Sequence, residues 1–152
     1  PTTAYSATQK NQCAGSVQGV FPFTSFLLFD STKGDREGAW LAYTAPTVLD
    51  WTGKTKLHAW YKFVNPGSLD HISYLQFFAA EANGVHYTHT ETLGAWYDNN
   101  WHEAVLDLGP DLVKTQVKTF GIQINLKTPA DAAALPVDPP DATIYIDDVW
   151  LE

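Results

Sequence analysis

Phe120-Gly121-Ile122-Gln123-Ile124-Asn125-Leu126 decides how this chain folds. Successive side chains of an extended strand point to opposite faces, so Phe120, Ile122, Ile124 and Leu126 share one side and Gly121, Gln123 and Asn125 the other. One row is wholly apolar and the other small or amide, which is the pattern of a strand buried on one side only. The same split works upstream. Leu57, Ala59, Tyr61 and Phe63 form an apolar row against His58, Trp60, Lys62 and Val64, and Leu75, Phe77 and Ala79 stand against Tyr74, Gln76 and Phe78.

Further short runs, Phe26–Phe29, Ala39–Tyr43, Val85–Thr90, Glu103–Leu108 and Thr143–Leu151, are separated by turn formers such as Asn65-Pro66-Gly67, Asn83-Gly84 and Asp138-Pro139-Pro140-Asp141. About eight strands at this spacing predict an all-β fold, an antiparallel β-sandwich of two sheets. Only Asp111–Thr119 and Ala130–Leu135 have room for a helical turn or two. The polar stretch 1–19 reads as a linker remnant with a first short strand, and 20–152 as one sandwich domain.

The chain has 152 residues, enough for one core and too few for two. Nine basic residues against 17 acidic ones give a net charge of −8, which repels phosphate backbones and anionic lipid, so neither nucleic acid nor membrane is an expected partner. No apolar run approaches the roughly 20 residues that span a bilayer, and a mature or excised monomeric domain is expected. The lone cysteine, Cys13, allows no internal disulfide. The aromatic content stands out: 6 Trp, 7 Tyr and 8 Phe exceed what so small a core requires.

The outward rows say where the surplus goes. Flat rings (Trp60, Tyr74) beside Gln76, Gln123, Asn125, His58 and Lys62 match a pyranose, whose C–H face stacks on a ring and whose hydroxyl rim pairs with amides. Trp96 lies near a turn as a candidate cleft wall, whereas Trp101 is expected in the core. Rigid aromatics lose little side-chain entropy on binding.

Trp101, Leu106-Asp107-Leu108-Gly109, Phe120-Gly121-Ile122-Gln123-Ile124 and the closing Ile144-Tyr145-Ile146-Asp147-Asp148-Val149-Trp150-Leu151 resemble the C-terminal half of the β-jelly-roll carbohydrate-binding modules of secreted bacterial polysaccharide-degrading enzymes. That resemblance implies a noncatalytic, extracellular module. Its ligand is expected to be a β-1,4-linked glucan such as amorphous cellulose, cello-oligosaccharides, xyloglucan or mixed-linkage glucan, with a glycoside hydrolase in the same parent chain. Gln123 and Asn125 match the polar positions of the binding cleft. The alternatives are a mannan- or xylan-binding module and a sandwich that binds another protein.

Asp147-Asp148 interrupts the apolar last strand, and adjacent carboxylates repel unless something neutralises them. Phe29–Asp35 is an oxygen-rich loop suited to Ca²⁺. The resemblance implies a structural calcium ion held by Asp30 and Asp147 with a loop carbonyl such as that of Lys33. Enzyme chemistry finds less support. His86 and His89 fall on opposite faces of a strand, and no spacing brings Glu81, Glu91 and Glu103 together as a glycosidase pair.

Overall fold

A computed structural model describes residues 2–8, 15–21, 38–64, 72–84, 86–91, 98–126 and 142–152. Nine strands occur among them: β1 (Thr2–Ser6), β2 (Ser16–Phe21), β3 (Gly38–Leu49), β4 (Lys56–Val64), β5 (Ile72–Glu81), β6 (His86–Glu91), β7 (Trp101–Asp107), β8 (Val117–Leu126) and β9 (Ala142–Leu151). They form two sheets, β1-β2-β9-β4-β7 and β3-β8-β5-β6, with every pairing antiparallel. The fold is the expected β-sandwich.

The apolar rows meet between the sheets. From β4 come Leu57, Ala59, Tyr61 and Phe63; from the facing sheet come Leu75, Phe77, Ala79, Ile122 and Ile124, all members of one buried cluster. Burying each of the larger side chains contributes roughly 1.5–3 kcal/mol. Ala59 and Ala79 are fully buried, small residues among the large ones, so the inner faces of the two sheets can interlock. Trp51, 4% exposed, closes one end of this core and packs on Phe120 with ring centroids 5.6 Å apart.

Three sequence expectations change. The stretch 1–19, expected to hold one short strand, contributes to two: β1 pairs with β2 and β2 with β9, which makes Thr2–Ser6 the edge of the five-stranded sheet. The helical allowance at Asp111–Thr119 reduces to one 3₁₀ turn, Lys114–Gln116, after which the β-branched Val117 starts β8. β3 runs through Pro46 to Leu49, which an edge strand with a register shift after Thr44 tolerates. The Phe26–Phe29 run, Ala130–Leu135 and Cys13 lie outside the described residues.

The β5–β6 hairpin turns at Asn83-Gly84. Gly84 has φ +88°, a region that side-chain-bearing residues avoid, and its N–H donates to the Glu81 carbonyl at 3.0 Å. The Glu81 side chain, 4% exposed, accepts the Val113 N–H at 2.9 Å and so ties the approach to β8 onto the end of β5. Glu81→Ala is expected to lower stability by about 2 kcal/mol, since the Val113 donor loses its partner. Urea denaturation with an unchanged slope checks this.

Candidate functional site

Register fixes what lies on the outer face of the four-stranded sheet. Trp40, Gln123 and Gln76 face one another across β3, β8 and β5; Ala42, Gly121 and Phe78 form the next line, and Gly38, Asn125 and Tyr74 the line on the other side. Directly opposed residues share a face. The amide and aromatic positions expected from sequence on β5 and β8 (Tyr74, Gln76, Gln123, Asn125) therefore converge. Tyr74, Gln76 and Gln123 are half-buried; of Asn125 only the backbone position is described.

The principal ring here is one the sequence reading passed over. Trp40 is 54% exposed, whereas Phe78, on the same outer face, is 1% exposed. Their rings meet edge to face, centroids 6.2 Å apart at 69°. Because β8 lies between β3 and β5, the backbones carrying them are about 9.6 Å apart, two strand spacings. Gly121, the position on β8 without a side chain, lies on the strand between them and lets β3 pack close. A Cβ there would collide with the Leu41 carbonyl oxygen and lie 2.6 Å from Ala42 Cα. Trp40 was legible by the same alternation, since Leu41 beside it points into the core.

Two predicted residues are not part of this face. Trp60 and His58 do point outward, as their alternation predicts, but β4 pairs with β7 and β9 in the other sheet, so they stand on the opposite side of the sandwich from Tyr74 and Gln76. Alternation separates inside from outside without saying which sheet a strand joins. Trp101, expected in the core, faces outward opposite Lys62 on that same far side. Trp96, Asp30 and Lys33 lie outside the described residues.

On the far side His58 is 8% exposed beneath Trp150, the two rings stacked at 4.7 Å and 13°. Its Nδ1–H donates to Glu103 Oε1 at 2.8 Å, and Nε2 lies 3.3 Å from Glu152 Oε2. Glu103 is thus engaged by histidine, and Glu81 by the Val113 amide in the other sheet, so these two carboxylates do not flank a common bond. Near the start of β7, Asp98 accepts from His102 Nε2 at 2.8 Å and from the Asn100 backbone at 2.9 Å. These bonds, the His102 one first, hold its carboxyl well below the usual Asp range. Asp147 is buried, 4% exposed, and Asp148 beside it takes φ +54° at a register shift between β9 and β4. Among the described residues no three His, Cys, Asp or Glu side chains form a cluster for a metal ion.

With this geometry established, comparison with solved structures finds the same β-sandwich fold elsewhere. A carbohydrate-binding module of the β-sandwich superfamily, described as promiscuous in specificity, superposes over 99% of this chain and 52% of its own at TM-score 0.65 and 12% identity. An exo-β-agarase matches 99% of this chain and 22% of its own at TM-score 0.58 and 12% identity. A family 28 module specific for non-crystalline cellulose matches 99% and 79% at TM-score 0.54 and 9% identity. The chain thus spans about half of the first relative. At such identities the likeness is one of fold. No protein-family model and no curated protein matches the sequence.

Gly121→Val is expected to push β3 away from β8, lowering the melting temperature by several degrees and, because Trp40 is carried on β3 and Phe78 on β5, reddening the tryptophan emission as Trp40 loses its contact. Differential scanning fluorimetry and emission spectra together check it.

Proposed function

We propose that this chain is a noncatalytic carbohydrate-binding module that holds a neutral β-1,4-linked glucan chain on the outer face of its four-stranded sheet. One observation carries the reading: a half-exposed indole, Trp40, in a cross-strand line with two amides, Gln123 and Gln76. The ring offers a flat face to a pyranose, and the amides supply both a donor and an acceptor to its hydroxyls. On β3, β8 and β5 these lines contain no charged side chain, which suits a neutral chain over an anionic one. Tyr74, one line further along, extends the platform, and Asn125 sits at its register position. Stacking contributes about 1–3 kcal/mol per ring by analogy with bases on aromatics, so one or two rings with a few hydrogen bonds give roughly micromolar to millimolar affinity.

In this reading the module is extracellular and keeps a glycoside hydrolase of the same parent chain near its substrate by raising local concentration. Affinity electrophoresis through gels containing hydroxyethylcellulose, mannan, xylan or agarose tests it. Retardation is expected in the glucan gel, weakened about tenfold by Trp40→Ala and less by Gln123→Ala, while both variants remain folded at the assay temperature, Trp40→Ala melting slightly lower for want of its Phe78 contact. Retardation by mannan or xylan alone would move the ligand to that polymer, and retardation in no gel would overturn the proposal in favour of a protein-binding sandwich.

A structural calcium ion belongs to the same proposal. Asp147 is the member of the expected ligand set that is described, and its burial suits a carboxylate held by a hard cation. Chelation with EGTA is expected to lower the melting temperature by several degrees, reversibly on adding Ca²⁺, and to have no effect on Asp147→Asn. A melt indifferent to chelator would remove the ion.

A further inference from the structure

We propose that the outer face of the five-stranded sheet is a second, independent saccharide platform with Trp150 as its stacking ring. The inference rests on the glycan reading above and adds a site on the opposite side of the sandwich.

Trp150 is held flat by what lies against it. The indole stacks on His58 at 4.7 Å and 13°, and the imidazole is held at Nδ1 by its hydrogen bond to Glu103 Oε1 at 2.8 Å, with Glu152 Oε2 3.3 Å from Nε2 but not hydrogen-bonded to it. The imidazole cannot rotate without giving up the Glu103 bond, so the ring stacked on it is fixed too. The β2–β9 pairing ends at Ile146, so among the described residues no strand flanks Trp150 on the side away from His58. Burial agrees: the ring beneath keeps 8% of its exposure and the indole 38%. A fixed ring with one covered and one open face loses little entropy when a pyranose stacks on it.

The neighbouring rows continue the pattern along and across the sheet. Trp60 stands two residues from His58, roughly 7 Å along β4, and Lys62 two residues further, opposite Tyr145. The Tyr145 hydroxyl accepts Gln18 Nε2 at 3.2 Å, so an amide and a phenol sit together beside the rings. Rings alternate here with ammonium, carboxylate, phenol and amide groups. That mixture opposes a dry protein interface, in which Glu103 and Lys62 would lose water, and suits a sugar, whose hydroxyls replace the water. The nearby carboxylates of Glu103 and Glu152 disfavour an acidic polysaccharide. With one platform on each side, a single module can engage two separate glycan chains.

Titration calorimetry of the chain with cellohexaose is the test. The unaltered chain is expected to take up about two oligosaccharides. The Trp40→Ala/Gln123→Ala double variant should retain one, and adding Trp150→Leu, which keeps bulk without a flat face, should weaken that one at least about tenfold. Trp150→Phe, which restores a ring over His58, should recover most of the affinity, separating stacking from folding. A single site abolished by Trp40→Ala/Gln123→Ala and untouched by Trp150→Leu overturns the second platform and leaves the first standing. No binding at all overturns both. A Trp150-dependent dimer in sedimentation, with one sugar per chain, overturns the second platform in favour of a second copy of the chain.

Discussion

The packing of one apolar row of β4 against the apolar rows of β5 and β8 is the interaction on which the rest of this molecule depends. Leu57, Ala59, Tyr61 and Phe63 on one side and Leu75, Phe77, Ala79, Ile122 and Ile124 on the other exclude water from the space between the sheets. With no internal disulfide, this contact holds the two sheets together. It also fixes register: slipping any of these strands by one residue would turn its apolar row to solvent and its amides or histidine inward. The outer rows are what remains once the inner rows are committed.

Those outer rows were given different chemistry on the two sheets. Over the four-stranded sheet the lines around Trp40, Gln123 and Gln76 are uncharged, Trp40 meets Phe78 edge to face, and the missing side chain at Gly121 lets β3 pack close against β8. Over the five-stranded sheet the rings are interleaved with charges, and a histidine hydrogen-bonded to Glu103 lies stacked beneath Trp150. A rigid sheet suits both arrangements, because each ring is carried on a strand whose inner side is locked into the core. The buried Glu81 makes the contrast plain: the same side-chain type that serves a surface clamp at Glu103 acts inside the fold as the anchor of a loop.

The sequence by itself determined the strands and their inward and outward sides. β4, β5 and β8 appear where alternation puts them, Trp60, Tyr74, Gln76 and Gln123 face away from the core as read, and the turn at Asn83-Gly84 is where a glycine with positive φ is needed. Trp101 escaped the reading because it opens β7, where too little of the alternation precedes it to show its side. Trp40 escaped only because the short run around it was not divided into faces.

Tertiary structure decided which outward rows meet. Trp60 and His58 look in sequence like neighbours of Tyr74 and Gln76, yet β4 and β5, though consecutive, belong to opposite sheets, so the two rows point in opposite directions. Gln123 and Trp40, more than 80 positions apart, become cross-strand partners. The physical reason is that side-chain alternation is a property of a single strand, fixed by its own backbone, whereas strand order depends on which backbones exchange hydrogen bonds and which apolar faces fit together across the core. That information is spread over the whole chain and appears in no short stretch of it.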